Sequence, residues 1–497
     1  METSLKDKTA KGLMWGMMNN GAMQLLNIVF GIILARRLSD GDYGLAGEIA
    51  VFSAIASALQ ESGFISALTN RKNCTATDYN SVFWFNVLCS AAMYVLLWFA
   101  APLIASFFEE PELLWLSRYA FTGFFIASFS ITPRAILYKQ MRVKEQAIIG
   151  ITSLTISGVV GVTMAFCGAS YWSIVTQNIV FVAVVSIMSW WFSGFRPTRK
   201  ASIKPIREMF GFSCKLLVTN IFNCINNSIF SVVFGKFYTK NIVGQYTQAD
   251  KWNKMGSNLI TGMVQQVAQP MFVQVADDIE RQRRAFRKML RFTALLSFPA
   301  MLGLAMVAPE FITIAVGEKW LPSAGLMRML CVAGAFMPIA ALYQNLLISR
   351  GRSGVYMWNI LAQGLLVLGL LCAIRIFDWK ITFSIWEYGF VISDIKLMVC
   401  IYVLIYLCWM LIWQCLLFIE IRLTIGSALL DIIPFAVIAA VSMIAAYLIT
   451  CSISNIYFLL ASRIVVGASI YLALVWITGA KILRECVGYF TKKQKKG

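Results

Sequence analysis

Apolar stretches of about twenty residues recur along the chain, separated by short polar segments. A helix of about twenty apolar residues crosses the hydrocarbon core of a bilayer. The pattern predicts fourteen membrane spans, at residues 12–35, 45–69, 80–103, 113–132, 147–167, 172–192, 211–234, 256–275, 292–315, 324–348, 355–375, 396–418, 431–450 and 456–479. The boundaries of the twelfth span stay open, because apolar residues continue from Ile385 to Ile419 around three charges. We therefore expect an all-α polytopic membrane protein.

The composition supports this class and excludes several kinds of chemistry. The chain is 59% hydrophobic and 13% charged, whereas about a quarter of the residues in soluble proteins are charged. It has no histidine, and its 12 cysteines lie mostly in apolar runs without the pair spacing of a metal site. No loop is long enough to form an extramembrane catalytic domain. We expect a protein that is not an enzyme and that binds no metal or cofactor.

The basic residues indicate the orientation in the membrane. With the N-terminus inside, lysine and arginine concentrate in the inner segments, such as 281–291 and 481–496. Because cytoplasmic loops carry this excess, both termini are expected in the cytoplasm. The net charge of +19 is thus a topology signal, and nucleic-acid binding is not needed to explain it. Segment 276–291 is expected to form an interfacial helix that binds anionic membrane lipids.

The segment LARRLSDGDYGLAGE, residues 34–48, carries several charges between two apolar stretches. It falls at the first outer loop, where Arg36 and Arg37 run against the positive-inside pattern. One interpretation is that they snorkel at the helix end and pair with Asp40 and Asp42. The other is a function in gating, in which Glu48 pairs with one of the arginines. Both interpretations stay open.

The two halves of the chain resemble each other at a nearly constant offset. Matching pairs are Asn19 and Asn223, Phe30 and Phe234, Gly31 and Gly235, Gly44 and Gly244, Gln60 and Gln265, and Arg118 and Arg328. Their order predicts two homologous six-helix lobes, at 1–195 and 196–428, with two further helices and a basic cytoplasmic tail in 429–497. Because six is even, both lobes start inside and the repeat is parallel. A substrate path is then expected in a central cavity between the lobes.

Polar side chains concentrate on one face of the first helix of each predicted lobe. At 100° per residue, each set falls within an arc of about 140°. The cavity candidates on these helices are Asn19, Asn20, Gln24 and Asn27 of the first span, and Lys215, Asn220, Asn223, Asn226 and Asn227 of the seventh. The eighth span adds Gln265 and Gln266, beside a kink expected at Pro270. Amides in hydrocarbon need partners, so these faces are expected to line the cavity. The alternative is interhelical hydrogen bonding.

Charged residues inside the spans are further candidates, because such charges usually have a function. Lys215 shares its face with the asparagines, and Arg118 and Arg328 lie near the outer ends of their spans. Arg463, in the last span, is expected to be peripheral. Without histidine, proton coupling requires a carboxylate. We assign Glu61 as the candidate coupling site and Glu48 as a gate partner, and sodium-coupled and uncoupled mechanisms stay open.

Several motifs resemble those of bacterial polysaccharide flippases in the multidrug/oligosaccharidyl-lipid/polysaccharide exporter superfamily. The first span ends in Ala-Arg-x-Leu, and the loop that follows closes on Asp-Tyr-Gly. These positions are Ala35, Arg36, Leu38, Asp42, Tyr43 and Gly44. NIVGQYTQADKW is similar to the family's Gly-x-Tyr-x-x-Ala element, and GEKWLPSAGLMRML to its loop before the tenth span. The resemblance covers essentially the whole chain.

The resemblance implies a flippase of the bacterial inner membrane. Such a protein moves undecaprenyl-pyrophosphate-linked oligosaccharide repeat units outward by alternating access, for lipopolysaccharide O-antigen, capsule or exopolysaccharide synthesis. A polysaccharide polymerase or glycosyltransferases of the same pathway are the implied protein partners. The alternatives are a multidrug antiporter of the same superfamily and a membrane polysaccharide ligase or polymerase. The glycan carried and the oligomeric state stay open.

Overall fold

The structure is a computed structural model that describes residues 2–61, 68, 74–140, 142–198, 202–275, 278–376, 382–385, 388–391 and 394–478. It is almost entirely helical, as predicted. The helices are α1 (Glu2–Arg37), α2 (Asp40–Glu61), α3 (Ala76–Phe108), α4 (Leu113–Lys139), α5 (Val143–Phe166), α6 (Trp172–Ser193), α7 (Ile203–Phe237), α8 (Lys240–Gln274), α9 (Ile279–Met306), α10 (Ala308–Ala315), α11 (Leu321–Ser349), α12 (Ser353–Ile376), α13 (Asp394–Ile421), α14 (Ile425–Thr450) and α15 (Ile456–Ile477). A single 3₁₀ turn, Glu318–Trp320, precedes α11.

Each predicted span coincides with a described helix over most of its length, and the ninth is divided between α9 and α10. The second span, 45–69, matches α2 as far as Glu61, and its remaining residues, apart from Leu68, lie outside the described part of the chain. Among the described residues, ten helices are long and apolar enough to cross a membrane. Large apolar side chains cover their outer surfaces, as on Phe99 (74% exposed) and Trp191 (85% exposed). Exposed apolar surface of this extent is stable only against lipid. The protein is therefore a multi-pass membrane protein, and the count of fourteen spans stays a prediction.

Local sequence signals set several helix ends. Thr75 and Asp78 form a capping box at the start of α3, in which each side chain accepts a backbone N–H of the other residue. Asp278 caps α9 by accepting from the backbone N–H of Arg281. Of segment 276–291, predicted as an interfacial helix, the residues from Ile279 onward form the first turns of α9, and its place at the membrane surface stays a prediction.

A short two-stranded hairpin was not predicted from the sequence. Strand β1 (Thr382–Ile385) pairs antiparallel with β2 (Tyr388–Val391). It lies between α12 and α13, where the sequence pattern left the boundary of the twelfth span open.

Packing divides the chain into two units, Met1–Thr247 and Gln248–Gly497. In the first unit, α4 packs against α3 and α6, α1 packs against α5, and α2 packs against α4 and α7. The core near one end of this unit includes Leu45, Ile104, Phe108 and Phe121. The predicted lobe boundaries at 195 and 428 describe homology, which packing does not measure, and they stay predictions.

The second unit is organised around α9, which packs against α11 and α14. Two ion pairs join its helices: that of Arg463 is buried, and that of Arg287 has a buried carboxylate and a half-exposed guanidinium. Arg287 of α9 donates two hydrogen bonds to Asp431 of α14, at 2.6 and 3.0 Å. Arg463 of α15 binds Glu310 of α10 at 2.6 Å, and its guanidinium lies 4.4 Å from the centre of the Tyr447 ring. Arg463 is 4% exposed, because this carboxylate and ring surround it. Its expected position in the appended helices, away from the substrate path, stays a prediction.

Candidate functional site

The first turns of α2 and α8 touch through their backbones. A Cβ atom built on Gly44 would overlap the backbone carbonyl of Lys240, and one built on Gly244 would overlap the carbonyl of Asp40. The contact is reciprocal: the fifth residue of each helix faces the first residue of the other. Since any side chain at either position would collide with backbone, only glycine permits this approach.

The same contact continues on both sides of the two glycines. A Cβ on Gly41 would lie 3.0 Å from the amide oxygen of Asn241, and a Cβ on Gly47 would lie 2.6 Å from the hydroxyl of Thr247. The positions in these two pairs, Gly41 with Asn241 and Gly47 with Thr247, are 200 residues apart, which is the offset between Gly44 and Gly244. We call this arrangement the α2–α8 crossing; it comprises Asp40, Gly41, Gly44 and Gly47 with Lys240, Asn241, Gly244 and Thr247.

Aromatic side chains of α7 and α8 pack together next to the crossing. Tyr246 is 4% exposed, and its ring centre lies 5.2 Å from the ring centres of both Phe230 and Phe234 on α7. Tyr43, the matching tyrosine of α2, is also buried. The two Gly-and-Tyr motifs recognised in the sequence therefore supply a close backbone contact and the packing that holds it.

Three glutamates in the connection between α3 and α4 bind two lysines beside the crossing. Lys236 donates to Glu109 at 2.9 Å, and Lys240 lies 3.3 Å from carboxylate oxygens of both Glu110 and Glu112. We call these five residues the acidic clasp. The hydrogen bond from Lys236 lowers the pKa of Glu109. Burial opposes ionisation of Lys240, but its bonds to Glu112 and Glu110 raise its pKa overall.

The predicted gating residues lie around this end of the first unit. Asp42 accepts hydrogen bonds from the backbone N–H of Ser39 at 2.8 Å and from the hydroxyl of Ser170, so it caps α2. Arg37 lies over the Phe166 ring, with the guanidinium carbon 4.7 Å from the ring centre. Arg36 occupies the preceding position at the end of α1. Both arginines thus lie in the last turn of α1, and Asp42 lies in the first turn of α2 between the crossing residues Gly41 and Gly44.

Glu48 is buried beneath the crossing and is 1% exposed. Its Cγ lies 2.9 Å from the position a Cβ would take on Gly235 of α7, which also approaches the ring of Phe108. Its Oε2 atom has no hydrogen-bond partner. Glu48 was expected to pair with Arg36 or Arg37 in one conformation. In the structure, its side chain points to α7 instead.

The amide candidates are distributed over α1, α7 and α8. Asn19 is half-buried, and its amide oxygen lies 3.2 Å from the position a Cβ would take on Gly150 of α5. The remaining candidates on these helices are half-buried or exposed: Asn20, Gln24, Asn27, Asn220, Asn223, Asn226, Asn227 and Gln265. The side chains of Lys215, Gln266 and Glu61 lie outside the part of the chain that the structure describes. A shared cavity for these residues stays a prediction.

The two predicted outer arginines have different surroundings. The Arg118 guanidinium lies between two indole rings, 4.7 Å from the centre of Trp98 and 5.0 Å from that of Trp115. Arg328 is exposed on α11. Stacking between aromatic rings accounts for Arg118 without a ligand.

A cavity of about 300 Å³ lies within the first unit, between α2, α4 and α6. Small side chains of α2, such as Ala46, Ala50 and Ala54, form one wall. Asn178 of α6 contributes an amide. The cavity begins next to the buried segment of α2 that carries Glu48 and Ile49, so a vacant space adjoins the crossing.

Sequence analysis missed the acidic clasp. The acidic segment FFEEPE and the two lysines were assigned to outer loops on the same side of the membrane. Their opposite charges were the available signal. The pairing of Arg463 with Glu310 was also missed, because the two residues are far apart in the sequence and nothing local connects them.

Comparison with known proteins agrees with this architecture. The chain is 23% identical to the lipopolysaccharide biosynthesis protein WzxC of Escherichia coli K12, over 70% of this chain and 71% of that protein. It is 24% identical to the teichuronic acid biosynthesis protein TuaB of Bacillus subtilis 168, over 89% of each. The structure resembles the lipid II flippase MurJ in an inward closed conformation, with a TM-score of 0.72 and 15% identity over 95% of this chain and 100% of MurJ.

A family model described as "polysaccharide biosynthesis protein" matches residues 33–325, which is more than half of the chain. The matched region begins just before the crossing segment of α2 and includes the corresponding segment of α8. With this match, the chain belongs to the polysaccharide biosynthesis protein family.

Proposed function

We propose that the protein flips undecaprenyl-pyrophosphate-linked oligosaccharide repeat units across the bacterial inner membrane by alternating access. The family match supports polysaccharide assembly as the pathway, and so do the names of the relatives, which refer to lipopolysaccharide and teichuronic acid biosynthesis. The observation that carries the transport mechanism is the reciprocal α2–α8 crossing. It joins the first turns of the second helix of each predicted lobe.

The crossing suits a gate because its contacts are close but weak. Two backbones in contact exclude solvent and a sugar head, yet no buried ion pair among its described residues holds them together. The acidic clasp is partly exposed, and such surface pairs contribute only about 0–1 kcal/mol each. A gate with these contacts closes firmly and opens without breaking a costly interaction. In the predicted topology it faces the outside, with both termini in the cytoplasm.

The proposed cavity has the chemistry that a lipid-linked sugar requires. Amides on the faces of α1 and α7 donate and accept hydrogen bonds to hydroxyl groups. Lys215 supplies a cation for the pyrophosphate, while the polyprenyl chain stays in the bilayer. In this scheme the protein is a transporter and forms no bond to its substrate. Anionic lipids bind the basic start of α9. Glycosyltransferases of the pathway supply the substrate, and the polymerase consumes it.

A flipping assay tests this proposal. Purified protein is reconstituted in vesicles that contain an undecaprenyl-pyrophosphate oligosaccharide with a fluorescent sugar, and outer-leaflet fluorescence is quenched chemically. We expect protein to make the inner-leaflet fraction accessible. Vesicles in which that fraction stays protected would overturn the proposal, and export of cationic dyes by the same vesicles would favour the multidrug antiporter.

The cavity is tested in the same assay by the paired substitutions Asn223→Leu and Asn226→Leu, and by Lys215→Ala. We expect these variants to insert at normal levels and to lose flipping. If they instead fail to accumulate in the membrane, the amides are packing contacts between helices and the cavity assignment is wrong.

A further inference from the structure

Glu48 is a carboxyl group without the partners that a buried charge needs. It is 1% exposed, one of its oxygens has no hydrogen-bond partner, and its neighbours include the backbone of Gly235 and the ring of Phe108. An ionised carboxylate in such surroundings is strongly disfavoured relative to water. The neutral acid avoids this cost.

The charged groups at this end of the unit do not compensate a charge on Glu48. The two ammonium groups, Lys236 of α7 and Lys240 of α8, are already bound by three carboxylates of the α3–α4 connection. The clasp therefore has a net negative charge, which further disfavours an ionised Glu48. The other charged groups nearby along α1 and α2 are Arg36, Arg37, Asp40 and Asp42.

The partners of these remaining groups are found elsewhere. Arg37 stacks on Phe166, and Arg36 has interactions of its own. Asp40 lies 3.5 Å from the amide nitrogen of Gln245, and Asp42 is bound by Ser39 and Ser170. No described ion pair at this end of the unit includes Glu48.

We propose that Glu48 is a proton-binding site linked to the α2–α8 crossing, which closes with Glu48 in its neutral acid form and opens with Glu48 ionised. This inference deepens the proposed function, on which it rests for the meaning of the gate. When the crossing closes, a carboxylate oxygen of Glu48 takes a proton from the surrounding water. When it opens, α2 and α7 separate at Gly235, water reaches the carboxyl group, and the carboxyl group releases its proton to that water.

The proposal replaces Glu61 with Glu48 as the proton-binding group of the first lobe. Glu48 lies one turn after Gly44 on the same helix, so separation of the backbones at Gly44 and Lys240 moves it directly. Gly235 is a second requirement, because any larger residue there would displace Glu48 or Phe108. Closure and protonation are thus coupled through one helix.

Linkage sets the size of the effect. Where Glu48 is neutral in the closed form and ionised in the open form, the closed-to-open ratio falls about tenfold for each unit of rising pH. Closure is favoured as the pH falls, because the closed form binds one proton more.

Spin-label distances in nanodiscs measure this ratio without any substrate. One label is attached to the native Cys167, which is exposed in the α5–α6 loop, and the other to a Thr239→Cys substitution at the exposed start of α8. The other native cysteines are replaced. We expect the wild-type protein to show a growing long-distance population as the pH is raised from about 5 to 9, with the slope of one proton.

The Glu48→Gln variant is expected to remain closed with no pH dependence, because the amide resembles the neutral acid in shape and cannot ionise. The matched control is Glu145→Gln, at a glutamate of α5 that pairs with Arg142. This variant is expected to keep the wild-type slope. A wild-type distance that does not change with pH, or an unchanged slope in Glu48→Gln, would overturn the inference. If the wild-type protein still flips the sugar lipid in that case, the proposed function stands; a pH-dependent gate without flipping would refute the function instead.

Discussion

Substitution of Gly44 by alanine tests whether the crossing is a gate. The added Cβ would overlap the backbone carbonyl of Lys240, and real Cβ atoms essentially never approach other atoms closer than 3.0 Å. Backbone cannot rotate away as a flexible side chain does, so α2 and α8 must separate. Overpacking of this kind costs about 1–3 kcal/mol, which corresponds to a closed-to-open ratio lower by about 5- to 150-fold.

The reciprocal geometry makes a second, sharper prediction. Gly244→Ala meets the carbonyl of Asp40 in the same way and is expected to open the crossing by a similar factor. The double variant should cost less than the sum of the two, because the first substitution has already separated the shared contact. Spin-label distances between Cys167 and Thr239→Cys measure all three variants.

A matched control lies on the same helix. Gly262 of α8 has nothing within 4 Å of a built Cβ, so Gly262→Ala adds a methyl group to open space. Alanine is favoured over glycine in a helix by about 0.5–1 kcal/mol, and this variant should keep the wild-type distance. If Gly44→Ala and Gly244→Ala also keep it, the backbones do not need to touch and the gate interpretation fails.

Three further outcomes are expected. Lys236→Glu should open the gate and Glu109→Lys should restore closure in the double variant, by spin-label distance at low salt, with the rescue weakening at high salt. Because Lys236 lowers the pKa of Glu109, their pair is complete above the ordinary value of 4.5 and is lost as the pH falls below the lowered one. This loss of closure lies below the range of about pH 5 to 9 in which Glu48 favours closure at lower pH, and Glu109→Gln should abolish it. Arg463→Met should destabilise the protein by about 3–5 kcal/mol in thermal unfolding, since it leaves Glu310 buried without its cation, and a Glu310→Leu substitution should recover most of the loss; equal stability of single and double variants would contradict this.

The helices could be predicted from the sequence because hydropathy and length determine them directly. The start of α9 shows the limit. A helix was expected in segment 276–291 and a span at 292–315, and the structure joins residues from Ile279 to Met306 in one continuous helix. Periodicity identifies a helix and one of its faces. It does not show whether an amphipathic segment and the span that follows it form one continuous helix.

The site was predicted less completely, for a different physical reason. Gly44 and Gly244 were matched as repeat positions and as motif residues, but their mutual contact depends on how two distant helices approach. Glu48 was placed near the gate, and its partner was expected among the arginines closest in sequence. The structure turns it toward Gly235, 187 positions further along the chain. Contacts between distant segments are set by tertiary packing, which one sequence does not reveal.

The distribution of strong and weak contacts indicates which part of the molecule moves. In the second unit, Arg463 and Glu310 form a buried pair, and removing one partner of such a pair costs about 3–5 kcal/mol. Arg287 binds the buried carboxylate of Asp431 through two hydrogen bonds. The pairs of the acidic clasp are partly exposed and contribute at most about 1 kcal/mol each. The crossing itself relies on glycine backbones, which attract only through dispersion and desolvation. Because a conformational change follows the contacts that cost least to break, we expect motion at the α2–α8 crossing while α9, α14 and α15 stay packed.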